Sequence, residues 1–203
     1  MIKCDNLQIG YCSERILIKD VNFSLSNDTN KIIFILGENG SGKTTLLKTL
    51  STLLRPINGS ISVECLNSIS YLNAETLHLF PHLKGKEIVS FFEKLNESKI
   101  SSQFYKNELF VQILDIHYSQ MSSGMKQLLK LAITLTENKK IIFWDEPFKS
   151  LSERNRLIVG QLIESLSIDH LFILTSHDQV HMNLDNIIFY KINNKYLERV
   201  NAL

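Results

Sequence analysis

The sequence predicts an α/β fold built on a parallel sheet. In the second half of the chain, apolar runs at 140–144 and 170–175 alternate with amphipathic stretches at 128–135 and 155–166. Strands that alternate with helices in this way are typical of a parallel sheet. A further apolar run at 31–36 leads directly into a glycine-rich loop and then a helical pattern. A buried strand that breaks into such a loop predicts a phosphate-binding site.

The glycine-rich loop at 37–45 reads G-E-N-G-S-G-K-T-T and completes the pattern G-x-x-x-x-G-K-[ST]. Its backbone N–H groups point at one position, and the N-terminus of the following helix adds partial positive charge there. Lys43 is able to reach the β- and γ-phosphates of a nucleotide, and the Thr44 hydroxyl is able to ligate Mg²⁺. We expect a nucleoside triphosphate to bind along the whole loop, namely Gly37, Glu38, Asn39, Gly40, Ser41, Gly42, Lys43, Thr44 and Thr45.

A β layer is predicted on either side of this loop in the sequence. Apolar and polar residues alternate loosely over 2–9 and 16–25, as in half-buried strands. The helix after the loop should run from Lys43 to about Leu54, where R-P-I-N-G breaks it. Short strands at 60–64 and 68–72 are then expected to continue the β layer.

A helical insertion and a closing hairpin complete the single predicted domain, which spans 1–203. Apolar residues recur at helical spacing from about 80 to 119, and we place the insertion at about 76–120. Strands at 187–190 and 196–200 are expected to form a hairpin at the end of the chain.

Composition and charge exclude several classes of function. The net charge is +1 and the Lys and Arg residues are dispersed, so we expect no nucleic-acid partner. Cys4, Cys12 and Cys65 lack metal-ligand spacing, which indicates reduced thiols and no zinc site. The N-terminus is polar, and no apolar run approaches the roughly 20 residues of a membrane span. We expect a cytoplasmic protein that would need a separate partner for any work at a membrane.

The run I-I-F-W-D-E-P at 141–147 places two carboxylates at the end of a buried strand. We expect this strand to lie beside the phosphate-loop strand. Asp145 is suited to hold Mg²⁺, usually through water, and Glu146 is suited to polarise the water that attacks the γ-phosphate. Alone, the same pattern is also an ordinary exit from a strand into a turn. Its combination with the phosphate loop favours the catalytic interpretation.

Two further segments carry groups that suit a phosphate. Ser122-Ser123-Gly124 stands at the start of an amphipathic helix, where a hydroxyl and free N–H groups form an anion site; the alternative is a plain helix N-cap. His177 follows the last buried strand, where its imidazole is able to meet the γ-phosphate, although a histidine there is also commonly structural.

In their order along the chain, these four motifs resemble the ATP-binding cassette family, specifically the nucleotide-binding domain of ABC transporters. Residues 37–45 match the Walker A motif, 121–125 (M-S-S-G-M) the L-S-G-G-Q signature, 141–146 the Walker B motif, and His177 the switch histidine. The resemblance covers essentially the whole chain. It implies a P-loop NTPase of the ABC ATPase type, with a RecA-like parallel core, an N-terminal antiparallel β subdomain and an inserted α-helical subdomain.

The resemblance also implies roles for particular residues. Lys43, Glu146 and His177 would be catalytic, and Thr44 and Asp145 would hold Mg²⁺ beside ATP. Ser122, Ser123 and Gly124 of one subunit would close on the γ-phosphate held by the other, in a head-to-tail dimer. Tyr11 occupies the position where an aromatic residue commonly stacks on adenine, although an exposed edge tyrosine is a comparable interpretation.

The sequence departs from the family pattern at several positions. The glutamine that usually follows the strand near 72 is absent, and Glu75 is the best occupant, followed by Ala74; a carboxylate there would still approach Mg²⁺. Ser123 and Met125 replace the glycine and glutamine of the signature, and Ser152 stands where an aspartate is usual. These changes are of a kind that slows hydrolysis or makes paired sites unequal.

The main functional expectation is therefore an ATPase subunit, in a homodimer or a heterodimer with another ABC ATPase, that drives an integral membrane transporter subunit from the inner face of the membrane. A soluble ABC ATPase in cofactor assembly and an ATP-sensing switch with little turnover are the alternatives. The run D-E-P-F at 145–148 faintly resembles the ATPase subunit of the haem exporter used in cytochrome c maturation. The transported molecule and the direction of transport are not encoded in any of these motifs.

Overall fold

The computed structural model describes residues 2–25, 32–64, 66–72, 80–149, 151–176 and 187–200. Within these ranges the chain forms nine strands: β1 (Ile2–Gly10), β2 (Ile16–Leu25), β3 (Ile32–Leu36), β4 (Asn58–Val63), β5 (Ile69–Leu72), β6 (Ile141–Trp144), β7 (Leu171–Ser176), β8 (Ile187–Asn193) and β9 (Tyr196–Val200). It also forms five α-helices: α1 (Lys43–Leu50), α2 (Gly85–Leu95), α3 (Glu108–Ile113), α4 (Ser123–Thr134) and α5 (Glu153–Leu166).

The nine described strands form one mixed sheet in the order β4-β1-β2-β9-β8-β3-β7-β6-β5. The strands from β8 to β5 pair in parallel, with β3 between β8 and β7. At the other end β1 pairs antiparallel with both β2 and β4, and β8 forms a hairpin with β9. The predicted combination of a parallel core and an N-terminal antiparallel layer is confirmed.

A separate hydrophobic core covers each face of the parallel strands. Successive side chains of β3 alternate between the faces, so Phe34 joins one core while Ile33 and Ile35 join the other. The core around Phe34 includes apolar residues of α2, α3, α4 and α5. The core around Ile33 includes Leu46 and Leu47 of α1 together with the N-terminal strands. Gly37, the residue that follows β3, thus leaves a strand that is packed on both faces.

Three expectations about these elements are wrong. Strand β6 does not lie beside β3, because β7 is inserted between them. Strand β5 pairs in parallel with β6 and belongs to the parallel core rather than to the antiparallel layer. Helix α1 ends at Leu50, and residues 51–54 form a turn instead of a further helical turn. Short strands carry too little pattern to specify which neighbour they pair with.

Helices α2 and α3 lie within the expected range of the helical insertion. α2 begins with a capping box in which the Glu87 carboxylate accepts a hydrogen bond of 2.7 Å from the Lys84 backbone N–H. The N-cap residue of α3 is Asn107, whose side chain accepts a hydrogen bond of 3.0 Å from the Phe110 backbone N–H. The limits of the insertion as a subdomain, 76–120, stay a prediction. Among the described residues, no helix combines the length and apolar character needed to cross a membrane.

Candidate nucleotide-binding and hydrolysis site

The glycine-rich loop connects β3 to α1 through two left-handed residues. Gly40 has φ of 80° and Gly42 has φ of 102°, conformations that side chains with a Cβ rarely adopt. A Cβ at Gly37 would lie 2.6 Å from the Ser41 Oγ. That hydroxyl is buried and has no hydrogen-bond partner among the described residues. A buried hydroxyl without a partner inside a phosphate loop fits a site whose ligand supplies the missing bond.

Lys43 is buried at the base of this loop, with 6% of its surface exposed. Its Nζ donates hydrogen bonds to the carbonyl oxygens of Gly37 at 2.7 Å and Glu38 at 3.0 Å. Burial lowers the pKa of the Lys43 ammonium, while the Glu146 and Asp145 carboxylates oppose this change. The cation is therefore held in place by the loop before any phosphate arrives.

Asp145 follows β6 and bridges two elements with its two carboxylate oxygens. Oδ2 accepts a hydrogen bond of 2.5 Å from the Thr44 hydroxyl at the start of α1. Oδ1 accepts one of 2.6 Å from the Thr175 hydroxyl in β7. The structure thus brings Thr44 and Asp145 together, as the sequence predicts. Thr175 was missed, and the signal available for it was a hydroxyl directly after four apolar residues of the same strand.

Glu146 lies next to the phosphate loop in an unusual backbone conformation. Its φ is 49°, in the left-handed region that a glutamate rarely occupies and that often marks functional sites. Its Oε1 lies 4.0 Å from Lys43 Nζ, and its Oε2 lies 2.9 Å from Lys149 Nζ. The hydrogen bond to Glu146 raises the pKa of the exposed Lys149. The Glu146 carboxylate is therefore placed between two cations beside the phosphate loop.

Lys43, Thr44 and Glu146 line one cleft of about 280 Å³. Its lining also includes Tyr11, Arg15, Asn39 and two of the loop glycines. Tyr11 is largely exposed, and the Arg15 guanidinium lies 5.1 Å from the centre of its ring. Tyr11 is thus available on the wall of the cleft, where a flat base would be able to stack on it.

The signature segment lies at the start of α4, as predicted. Ser122 is the N-cap residue, and its Oγ accepts a hydrogen bond of 3.3 Å from the Met125 backbone N–H. Gly124 is buried, and a Cβ there would lie 2.2 Å from Asn155 Nδ2 of α5. Gln127 Nε2 donates a bond of 2.8 Å to the Pro147 carbonyl oxygen, directly after Glu146. The signature helix is thus anchored to the segment after β6 that carries the two carboxylates.

Some predicted site residues cannot be placed in this geometry. His177, Glu75 and Ala74 lie outside the described residues. Ser152, at the expected aspartate position, is exposed and is the N-cap residue of α5.

The oxygen groups at the cleft fit Mg²⁺. The Thr44 hydroxyl and the Asp145 Oδ2 are adjacent hard oxygen donors beside the phosphate loop. Mg²⁺ prefers one or two protein oxygens together with phosphates and water, rather than a cage of protein ligands. The described residues contain no cluster of three His, Cys, Asp or Glu side chains able to hold a metal.

Comparison with known proteins identifies the family. The model of the ABC transporter family matches residues 18–149. An uncharacterised ABC transporter ATP-binding protein of Haemophilus influenzae is 31% identical, over 93% of this chain and 79% of that protein. The ergothioneine transport ATP-binding protein EgtV of Helicobacter pylori is 28% identical, over 88% of this chain and 91% of that protein. The chain belongs to the ABC transporter family.

A solved structure gives independent support for the fold. It is the dimeric, post-hydrolysis state of an ATP-binding cassette bound to ADP and Pi. The TM-score is 0.77, and the sequences are 20% identical; the match covers 100% of this chain and 99% of that chain. Together with the family match, this confirms the predicted P-loop NTPase fold of the ABC ATPase type. The protein is an ATP-binding and ATP-hydrolysing subunit of the ABC class.

Proposed function

We propose that two copies of this cassette, or one copy and a related ATPase, enclose each ATP between them. One subunit would contribute the phosphate loop with Lys43, and the other would contribute the signature residues Ser122, Ser123 and Gly124. The supporting observation is that the loop, Lys43 and Glu146 share one cleft, whereas Ser122 and Ser123 are exposed at a helix N-terminus. A second subunit would supply the positive end of α4 to the open side of the cleft.

Mg²⁺ would be held by the Thr44 hydroxyl and by Asp145, directly or through water. When bound, the ion neutralises charge on the β- and γ-phosphates. Lys43, already fixed by two carbonyl oxygens, would pair with the same phosphates. Glu75 as a further metal contact and His177 as a γ-phosphate contact remain part of this proposal.

Hydrolysis would use Glu146 as the group that orients water. A water oxygen attacks the γ-phosphorus in line with the bond to the β-phosphate bridging oxygen, and that bond breaks. The Glu146 carboxylate holds the water and takes its proton as the new P–O bond forms, so that ADP and inorganic phosphate leave the site. Lys43 and Lys149 lie on either side of this carboxylate, with their Nζ atoms 4.0 Å from Oε1 and 2.9 Å from Oε2.

We also propose an integral membrane transporter subunit as the partner, with the cassette at the inner face of the membrane. Phe80, Phe91 and Phe92 form one aromatic cluster, with ring centres of Phe80 and Phe91 5.4 Å apart. Phe91 and Leu95 are exposed on the same helix. This apolar surface, formed largely by helix α2, is suited to receive a segment of a membrane subunit.

The sandwich arrangement is tested by mixing two inactive variants. Lys43→Ala removes the phosphate-binding cation, and Gly124→Asp places a carboxylate at the signature helix tip; each alone should lose ATPase activity. In a heterodimer, the intact loop of one subunit faces the intact signature of the other. An equal mixture should therefore recover about one quarter of the wild-type rate, because half of the dimers carry one complete site.

The control for this experiment is each variant mixed with itself at the same total concentration, with thermal unfolding measured to confirm that both are folded. A mixture that stays as inactive as either variant would contradict the shared site. Activity in Gly124→Asp alone would contradict the role of the signature.

A further inference from the structure

Thr175 is a buried hydroxyl in the apolar strand β7. Its side chain is fully buried, and the four residues that precede it in the strand are apolar and buried. Burial of a hydroxyl costs free energy unless its hydrogen-bonding capacity is used. A valine has nearly the same shape and would pack in such a strand without that cost. The hydroxyl therefore needs an explanation beyond packing.

This hydroxyl is both a donor and an acceptor, and its partners are the two carboxylate residues at the end of the Walker B motif. It donates its proton to Asp145 Oδ1 at 2.6 Å. It accepts a hydrogen bond of 2.9 Å from the Glu146 backbone N–H. A hydroxyl carries one proton and two acceptor sites, so one atom of Thr175 is bound to both residues at once.

The effect on Asp145 is to distinguish its two oxygens. Oδ1 is bound to Thr175 on the β7 side, and Oδ2 is bound to Thr44 on the side of the phosphate loop. The terminal torsion of an aspartate is broad and has no strong preference of its own. With Oδ1 occupied by a charge-assisted bond, Oδ2 is the oxygen left to face the nucleotide and its metal ion.

The effect on Glu146 is to fix its backbone. Its φ of 49° is unfavourable for a glutamate, and its surroundings must hold it there. The hydrogen bond from its N–H to the Thr175 Oγ1 is one such restraint. Thr175 belongs to β7, which lies between β3 and β6. Because β7 pairs with β6, with Trp144 opposite Leu174, the next side chain of β7 reaches both carboxylate residues that follow β6.

We propose that Thr175 is a positioning residue for Mg²⁺-dependent ATP binding and hydrolysis, acting by directing Asp145 Oδ2 to the metal and by holding the Glu146 backbone. This inference rests on the proposed function for the metal-binding role of Asp145. In this role Thr175 would act through Asp145 and Glu146 rather than by contact with the metal or the nucleotide.

The test compares Thr175→Val, which keeps the shape and loses the hydroxyl, with Thr175→Ser, which keeps the hydroxyl. Affinity for a fluorescent ATP analogue is measured with Mg²⁺ and with EDTA, and the ratio of the two dissociation constants gives the gain due to the metal. We expect Thr175→Val to lose about tenfold of this gain, while its affinity in EDTA stays at the wild-type value. Thr175→Ser should retain the gain and the turnover rate.

Thr134→Val is the matched control. Thr134 is also buried, and its hydroxyl donates to the Leu131 carbonyl oxygen at 2.8 Å near the end of α4. It should lower thermal stability by a similar amount without changing the gain from Mg²⁺. Thr175→Cys, a weaker hydrogen-bonding analogue, should fall between the serine and valine variants and serves if Thr175→Val does not fold.

Several results would overturn the proposal. If Thr175→Val gained as much affinity from Mg²⁺ as the wild-type protein, the positioning role of Thr175 would be excluded, while the metal-binding role of Asp145 would stand. Equal losses in Thr175→Val and Thr134→Val would show a general effect of destabilisation, as would failure of Thr175→Ser to retain the gain. A wild-type protein that gains nothing from Mg²⁺ would instead contradict the metal-binding role of Asp145, on which this inference rests.

Discussion

The phosphate loop and the signature segment both place a helix N-terminus where it is able to bind phosphate, but they differ in how far a single chain completes them. At the loop, Lys43 is 6% exposed and bound to two carbonyl oxygens, and Thr44 is bound to Asp145. At the signature, Ser122 is exposed, and the bond of its Oγ to Met125 only closes its own helix cap.

This difference concerns preorganisation. The loop is fixed from within the chain, so its donors hold their positions before the nucleotide binds. The signature helix is held by contacts on its inner side: Asn155 packs against Gly124, and Gln127 donates a hydrogen bond to the Pro147 carbonyl oxygen. Its N-terminal serines remain exposed. Changes at the loop should therefore affect binding by the isolated subunit, and changes at the tip should affect only steps that need a partner.

The largest expected effect is that of Glu146→Gln on turnover. The substitution keeps the size of the side chain and removes the carboxylate that orients water, so the ATPase rate should fall by about 100- to 10,000-fold. ATP binding should persist, because Lys43 and the loop backbone are unchanged. The measurements are steady-state phosphate release and equilibrium binding of labelled ATP.

Glu93→Gln is the matched control for this variant. Glu93 is also mostly buried, with 13% of its side chain exposed against 18% for Glu146, and it pairs with Lys99 at 3.0 Å. The control should lose a similar ion pair with no change in turnover. Undiminished hydrolysis in Glu146→Gln would refute the assigned role of this carboxylate.

A smaller effect is expected from Ser122→Ala at the signature. Removal of an N-cap hydroxyl costs about 1 kcal/mol of stability, and loss of a γ-phosphate contact should add a decrease in turnover of about tenfold. Binding of ATP to the separate subunit should not change. Asn107→Ala, which removes the cap of α3, should cause a comparable loss of stability with no loss of turnover. Equal turnover in the two variants would indicate that Ser122 is only a helix cap.

The smallest effect is expected in thiol labelling, which reports on the loop side alone. Cys12 is exposed and adjacent to Tyr11 at the cleft, whereas Cys4 is buried, and burial raises the pKa of its thiol to about 12. At pH 8 a maleimide should modify Cys12 and leave Cys4 unmodified, because the thiolate is the reactive form. ATP should slow labelling of Cys12 by about two- to fivefold, since a base stacked on Tyr11 would cover it.

The labelling is followed by mass spectrometry of the peptides that contain each cysteine, with Cys4 labelled only after unfolding as the internal reference. Labelling of Cys12 that ATP leaves unchanged would remove the support for adenine at Tyr11.

Local patterns were sufficient for the parts of the site that are contiguous in sequence. The glycines at 40 and 42 adopt the left-handed conformations that the loop pattern requires, and Ser122 caps the helix that its position predicts. Such features depend on a few successive residues whose conformations are restricted. Strand neighbours were harder to predict: the placement of β6 beside β3 was wrong because β7 separates them.

By itself, the sequence determined that this chain is a P-loop ATPase with a phosphate loop, two carboxylates after a buried strand and a capped signature helix, because each is a local pattern with one favoured backbone conformation. Only the tertiary structure decided that β7 lies between β3 and β6, and hence that the Thr175 hydroxyl binds both Asp145 and Glu146. The pairing of parallel strands is set by packing across the whole sheet, and no local pattern encodes which strand lies in the middle.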